Sequence, residues 1–157
     1  YTFSEGDLIE ANRFIQDAAQ DISYEDILVQ YLKGMLNFSQ RNFVKTSDLM
    51  DVALKIAAMS KEGQKKFLDF NLYFLKQVIS QKIRGHHNVN EALRKAVEYF
   101  AAKIEIDQIE QWSNKIDKAY YAIEGNANSK ITFVSLAIES GKLMHRVEFE
   151  KLNNIKI

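Results

Sequence analysis

The chain of 157 residues contains no cysteine and no proline. Without cysteine there is no disulfide framework, no thiol nucleophile and no zinc–cysteine site, a composition that suits a reducing compartment. Proline breaks helix interiors. Average usage would place roughly eight prolines in a chain of this length, so their absence fits an almost wholly helical protein. A net charge is lacking too, because 21 basic residues balance 21 acidic ones. A domain built mainly to grip phosphate backbones is usually basic. No apolar run approaches the ~20 residues of a membrane span, and no signal peptide opens the chain. Glycine-rich phosphate loops are missing as well. The chain begins at Tyr1 with no methionine, which leads us to expect a piece of something longer.

What is present is apolar periodicity, in a chain 46% apolar. Asp7 is placed to cap a helix over residues 3–20, with Leu8, Ala11, Ile15 and Ala18 or Ala19 on one face. Ser23 and Asp26 resemble a capping box. The helix that follows turns Tyr24, Ile27, Leu28, Tyr31, Leu32, Met35 and Phe38 inward. Asp26, Gln30, Lys33, Asn37 and Gln40 face water. Gly34 in its middle costs ~1 kcal/mol against alanine, and close packing on a neighbouring helix accounts for it. Thr46 or Ser47 starts a shorter helix to about Met59, with Leu49, Val52, Ala53 and Ile56 inward. Ser60 starts a helix that Gly85 ends after Arg84. Its middle, from Phe67 to Leu75, is aromatic on several faces, so some of those rings meet a second surface. Past the polar His86-His87-Asn88 loop, Ala92, Leu93, Ala96, Val97 and Phe100 share one side of a short helix.

The stretch from Ile106 to Arg146 organises the rest. Ile109, Trp112, Ile116, Ala119 and Ile123 recur at helical spacing. At the turn that follows, Gly125 is suited to the left-handed conformation, Asn126 is nearly as tolerant, and Asn128 offers a cap to the next helix. That last helix has one narrow polar stripe: Thr132, Ser135, Glu139, Lys142 and Arg146. Ile131, Phe133, Val134, Leu136, Ala137, Ile138, Leu143 and Met144 cover most of its remaining surface, which places it at the centre of a bundle. We expect an all-α chain. Residues 1–22 would be a remnant helix, 23–146 a bundle of five to six helices, and 147–157 a tail to which no structure is assigned.

Catalytic chemistry is hard to assemble from these residues. His86 and His87 are adjacent and so point to different sides, unlike a ligand pair four residues apart; His145 is the third histidine. The carboxylates Glu105 and Asp107, and Glu148 and Glu150, sit in polar sequence without the desolvation a shifted pKa needs. Serines and threonines fall mostly at helix starts, where capping explains them. Lys76, Lys82 and Arg84 read as a solvated helix end favoured by the dipole.

Two phrases carry a resemblance, and a third adds to it. Glu5-Gly6-Asp7-Leu8-Ile9-Glu10-Ala11 resembles the Glu-Gly-x-x-x-x-Ala phrase that opens the last lid helix in clamp-loader ATPase modules. Ala122-Ile123-Glu124-Gly125-Asn126-Ala127-Asn128-Ser129-Lys130, followed by an apolar helix, resembles the carboxy-terminal signature of the delta prime subunits of bacterial DNA polymerase III clamp loaders. Lys66-Phe67-Leu68-Asp69-Phe70, and its distance from that signature, is similar to one branch of the same family. Motor subunits of the gamma and tau kind place a nucleotide-sensing arginine where this chain has Ile9, so the resemblance leans toward delta prime, which does not hydrolyse ATP.

The resemblance spans residues 3–146. It implies a collar domain: a non-catalytic oligomerisation module, without cofactor, metal or small-molecule substrate, in a cytoplasmic complex. Its partners would be gamma/tau and delta subunits, with the sliding clamp and DNA met only through upstream domains and no membrane involved. A gamma/tau collar is the nearest alternative; a free-standing helical enzyme or RNA-binding module is the alternative of another class. From burial rather than from the family, we expect the subunit interface to draw on Phe70, Tyr73, Phe74, Tyr120, Tyr121, Phe133 and Leu136.

Overall fold

In a computed structural model, the structure describes residues 24–39 and 46–155, with side chains over 24–36 and 49–144. The helix expected over 3–20 and the Ser23 cap lie outside the described residues. Among the described residues there are six α-helices and no strand: α1 (Tyr24–Ser39), α2 (Thr46–Ala57), α3 (Lys61–Arg84), α4 (Glu91–Lys103), α5 (Ile106–Glu124) and α6 (Ser129–Ile155). The all-α bundle expected from periodicity is therefore observed.

The helices form two groups. In one, α1, α2 and α6 pack on one another; in the other, α3 lies between α4 and α5. The groups join where α5 meets α6 and where α1 meets α3 and α4. An aromatic triple holds each group to α3. Tyr31, Phe67 and Phe133 meet edge to face at 6.0 and 6.4 Å between ring centroids, linking α1, α3 and α6. Phe74, Phe100 and Trp112 meet at 5.9 and 5.7 Å, linking α3, α4 and α5. Such contacts add about 0.5–1.5 kcal/mol each beyond the apolar area they bury. The stripe Ile109, Trp112, Ile116, Ala119 and Ile123 is wholly buried, as its spacing requires.

The helix ends follow local chemistry. Ser60 Oγ accepts from Gly63 N at 3.0 Å to start α3, and Gly85 ends it at φ +73°, with its N–H on Gln81 O. Glu105 and Gln108 close a reciprocal capping box at the start of α5. Gly34 sits where α1 touches α2. A Cβ there would lie 3.0 Å from Leu49 Cδ1 and 3.1 Å from Leu49 Cα, so a side chain at this position would press Leu49 aside, and glycine lets the two backbones come this close.

Three expectations need correction. The left-handed residue of the α5–α6 turn is Asn126, at φ +63°, while Gly125 has φ −82°. The turn closes with Ala127 N on Ala122 O at 2.9 Å and Asn126 N on Ile123 O at 3.0 Å, a Schellman pairing that puts the positive φ one residue past the glycine. Asn128 caps α6 as expected, accepting from Ile131 N at 3.1 Å. The tail does not end the last helix: α6 continues through Ile155. No glycine or proline follows Gly141 within it, and each added residue extends the backbone ladder. Finally, Ala92 is exposed, and Ala101 is buried on α4 in its stead.

Candidate interaction surface

The seven residues expected at an interface divide by depth. Phe74 and Phe133 are fully buried and Leu136 is nearly so. These three belong to the core of this chain, and Leu136 also lines a groove between α5 and α6. Their spacing marked them as apolar, but sequence cannot say which of two apolar faces turns inward.

Phe70 is half-buried between Tyr24 and Tyr73, stacking on the latter at 6.0 Å. Tyr73 keeps one edge exposed and donates its hydroxyl to Asn88 O at 2.8 Å. Tyr120 is half-buried beneath the Lys65 ammonium, 5.6 Å from the ring centroid. Tyr121 stands out at 74% exposure, edge-on to Tyr120 at 6.2 Å. The structure thus leaves Phe70 and Tyr73 on one surface and Tyr120 and Tyr121 on the hairpin.

A more continuous apolar surface lies between α2 and α6, on residues that sequence reasoning left out of the interface. On α2, Leu49, Val52, Ala53 and Ile56 point into the core, while Met50 and Leu54, one turn apart, point outward at 38% and 42% exposure. On α6, Phe133, Leu136 and Ala137 point inward, while Ile131 is 69% exposed and Val134 and Ile138 are half-exposed. Met50, Leu54, Ile131, Val134 and Ile138 line an open groove of about 480 Å³, edged by Lys130, Ser135 and Glu139. Ile131, Ser135 and Glu139 also border a second groove of about 450 Å³ between α5 and α6, whose other wall carries Lys115 and Lys118. The exposed ridge of α6 therefore has an apolar side and a basic side. A signal was available: Met50 and Leu54, and Ile131, Val134 and Ile138, each form a second apolar stripe at helical spacing.

Polar groups beside this surface hold the hairpin in place. Lys65 Nζ lies 2.8 Å from Glu124 Oε2. Its hydrogen bond and charge hold the Glu124 carboxyl below the usual glutamate range, and Glu124 in turn raises Lys65 above the usual lysine range. Lys61 Nζ donates to Glu124 O and Asn126 Oδ1, both at 3.1 Å. Gln64 is buried and binds three elements: it donates to Ala57 O and Met59 O and accepts from Ser129 Oγ at 2.9 Å. Deeper in, the Tyr31 hydroxyl, Trp112 Nε1 and Ser140 Oγ are buried without a hydrogen-bond partner. Burial pushes the Tyr31 phenol well above its ordinary pKa, and the nearby Ser140 hydroxyl opposes the rise without closing a hydrogen bond. Among the described residues no group of three His, Asp or Glu side chains is placed to hold a metal, and no helix is long and apolar enough to cross a membrane.

Together these features define a class: a helical bundle with an apolar face that no other described residue covers. Compared with protein-family models, with curated proteins and with solved structures, the chain matches none of them.

Proposed function

We propose that this chain is the collar domain of a delta-prime-type subunit of a bacterial DNA polymerase III clamp loader. It is a non-catalytic, cytoplasmic module that binds gamma/tau and delta subunits and so helps keep the loader ring closed. The sliding clamp and DNA are reached through domains upstream of this one, and the collar itself takes no cofactor. The Glu124–Asn128 turn before an apolar helix, and the Glu5–Ala11 phrase with Ile9 in place of a sensing arginine, supply the family part of the reading.

The observation that carries the interface part is the α2–α6 groove, lined by five apolar side chains from two helices, of which Met50, Leu54 and Ile131 are exposed and Val134 and Ile138 partly so. Contiguous apolar surface of this kind marks association sites on otherwise soluble folds. Burying one side chain such as Ile131 against a partner contributes about 1.5–3 kcal/mol, so the groove can supply binding energy. The test is co-elution on a sizing column of the chain with the corresponding gamma/tau and delta fragments. A complex that forms with wild type and is lost with Ile131→Asp supports the reading. Indifference to both fragments would end it.

A further inference from the structure

Resting on the reading of the α2–α6 face as a subunit interface, we infer that the segment it receives is an acidic amphipathic helix. Shape is the first reason. Met50 and Leu54 stand one turn apart on α2, facing Ile131, Val134 and Ile138 at i, i+3 and i+7 on α6. Two helices carrying apolar ridges at these spacings form a trough for a third helix that presents its own i, i+3, i+4 and i+7 set. The lined stretch of α6, from Lys130 to Glu139, is about 14 Å long at the α-helical rise, or two and a half turns.

Charge is the second reason, and it selects the partner. Lys130 edges the trough, and Lys115 and Lys118 stand across the α6 ridge. Glu139 is the single carboxylate lining either groove, and it is already held by Lys115 at 3.4 Å and Lys142 at 3.7 Å. Among the described residues, neither Lys118 nor Lys130 makes an ion pair. The chain as a whole is neutral, so this positive excess is local. A helix with an apolar stripe flanked by Asp or Glu matches both features. A second copy of this chain matches less well, because a two-fold contact would bring together two faces with the same positive excess.

The probe is a fluorescein-labelled helical peptide of about 15 residues, long enough to hold a helical face once docked. It carries leucine at i, i+3, i+4 and i+7 with glutamate on the flanks. A twin has lysine for every glutamate, and both are titrated by fluorescence anisotropy against the full chain. The glutamate peptide is expected to bind at least about tenfold more tightly than the lysine twin, and to weaken as salt screens the exposed lysines. Ile131→Asp should abolish binding. The double variant Lys118→Glu, Lys130→Glu should reverse the preference, with an unchanged thermal midpoint showing that the fold survives. Equal affinity for the two peptides, binding to neither, or displacement of the peptide by self-association of the chain overturns the inference. Failure here alongside retained co-elution with the gamma/tau and delta fragments leaves the collar reading standing. Selective peptide binding without co-elution does the opposite.

Discussion

Phe133 and Ile131 are two residues apart on α6, both large and apolar, and they have opposite surroundings. Phe133 is fully buried against Phe67, whereas Ile131 is 69% exposed on the ridge between two grooves. Neighbours on α2 repeat the contrast: Leu49 is pressed against Gly34, and Met50 faces solvent. One side of each helix builds the bundle, and the other lies outside what the fold needs. The lesson is that hydrophobicity alone does not separate residues that fold this protein from residues available to something else. Their rotation about the helix axis separates them.

Substitutions on the two sides should therefore differ sharply, and the inner side gives the largest effect. Phe133→Ala removes a ring from a fully packed site and is expected to lower stability by about 4 kcal/mol, read as a shift in the urea midpoint. Gly34→Leu comes next. Its Cβ would meet Leu49 Cα, which is backbone and cannot swing aside, so we expect a loss of about 2–3 kcal/mol from overpacking.

The hairpin gives a smaller, sharper test. Asn126→Ala should cost about 1 kcal/mol because alanine is strained at positive φ. Gly125→Ala should change little, since its φ is ordinary and the nearest atom to a new Cβ is Tyr121 O at 3.4 Å. Equal effects at the two positions would contradict the turn described above.

Glu124→Gln probes the half-exposed pair with Lys65, a contribution screened by solvent and smaller again. The folded carboxyl titrates below the unfolded one. Its stabilising share is thus fully present above the ordinary glutamate range and is lost as pH falls through the folded value. The gap in urea midpoint between wild type and variant should exist at neutral pH and close in acid. A gap of constant size across that range would mean that the ion pair contributes nothing. Smallest of all, Ile131→Ser on the outer ridge should move stability by less than about 0.5 kcal/mol. A loss approaching that of Phe133→Ala would erase the distinction between the two faces.

Much of the bundle was legible in the chain before any coordinates. The absence of proline, the stripe from Ile109 to Ile123, Ser60 and Gly85 at the ends of α3, and Asn128 before α6 are local signals. Helix periodicity and capping depend on residues within a turn or two of one another, so sequence carries them directly. The close approach at Gly34 was readable for the same reason, as a glycine with no local use. On α1 and α2 the inward stripe was readable too, but on the more widely apolar α3 and α6 tertiary packing alone decided which side turned inward. Phe74, Phe133 and Leu136 went to the core, while Ile131 stayed outside, because burial depends on neighbours distant in the chain. Packing likewise gave Gln64 its three partners, and it set Lys130 at the edge of the apolar trough with Lys115 and Lys118 across the α6 ridge. A helix specifies its own faces; only the other helices determine which of them is covered.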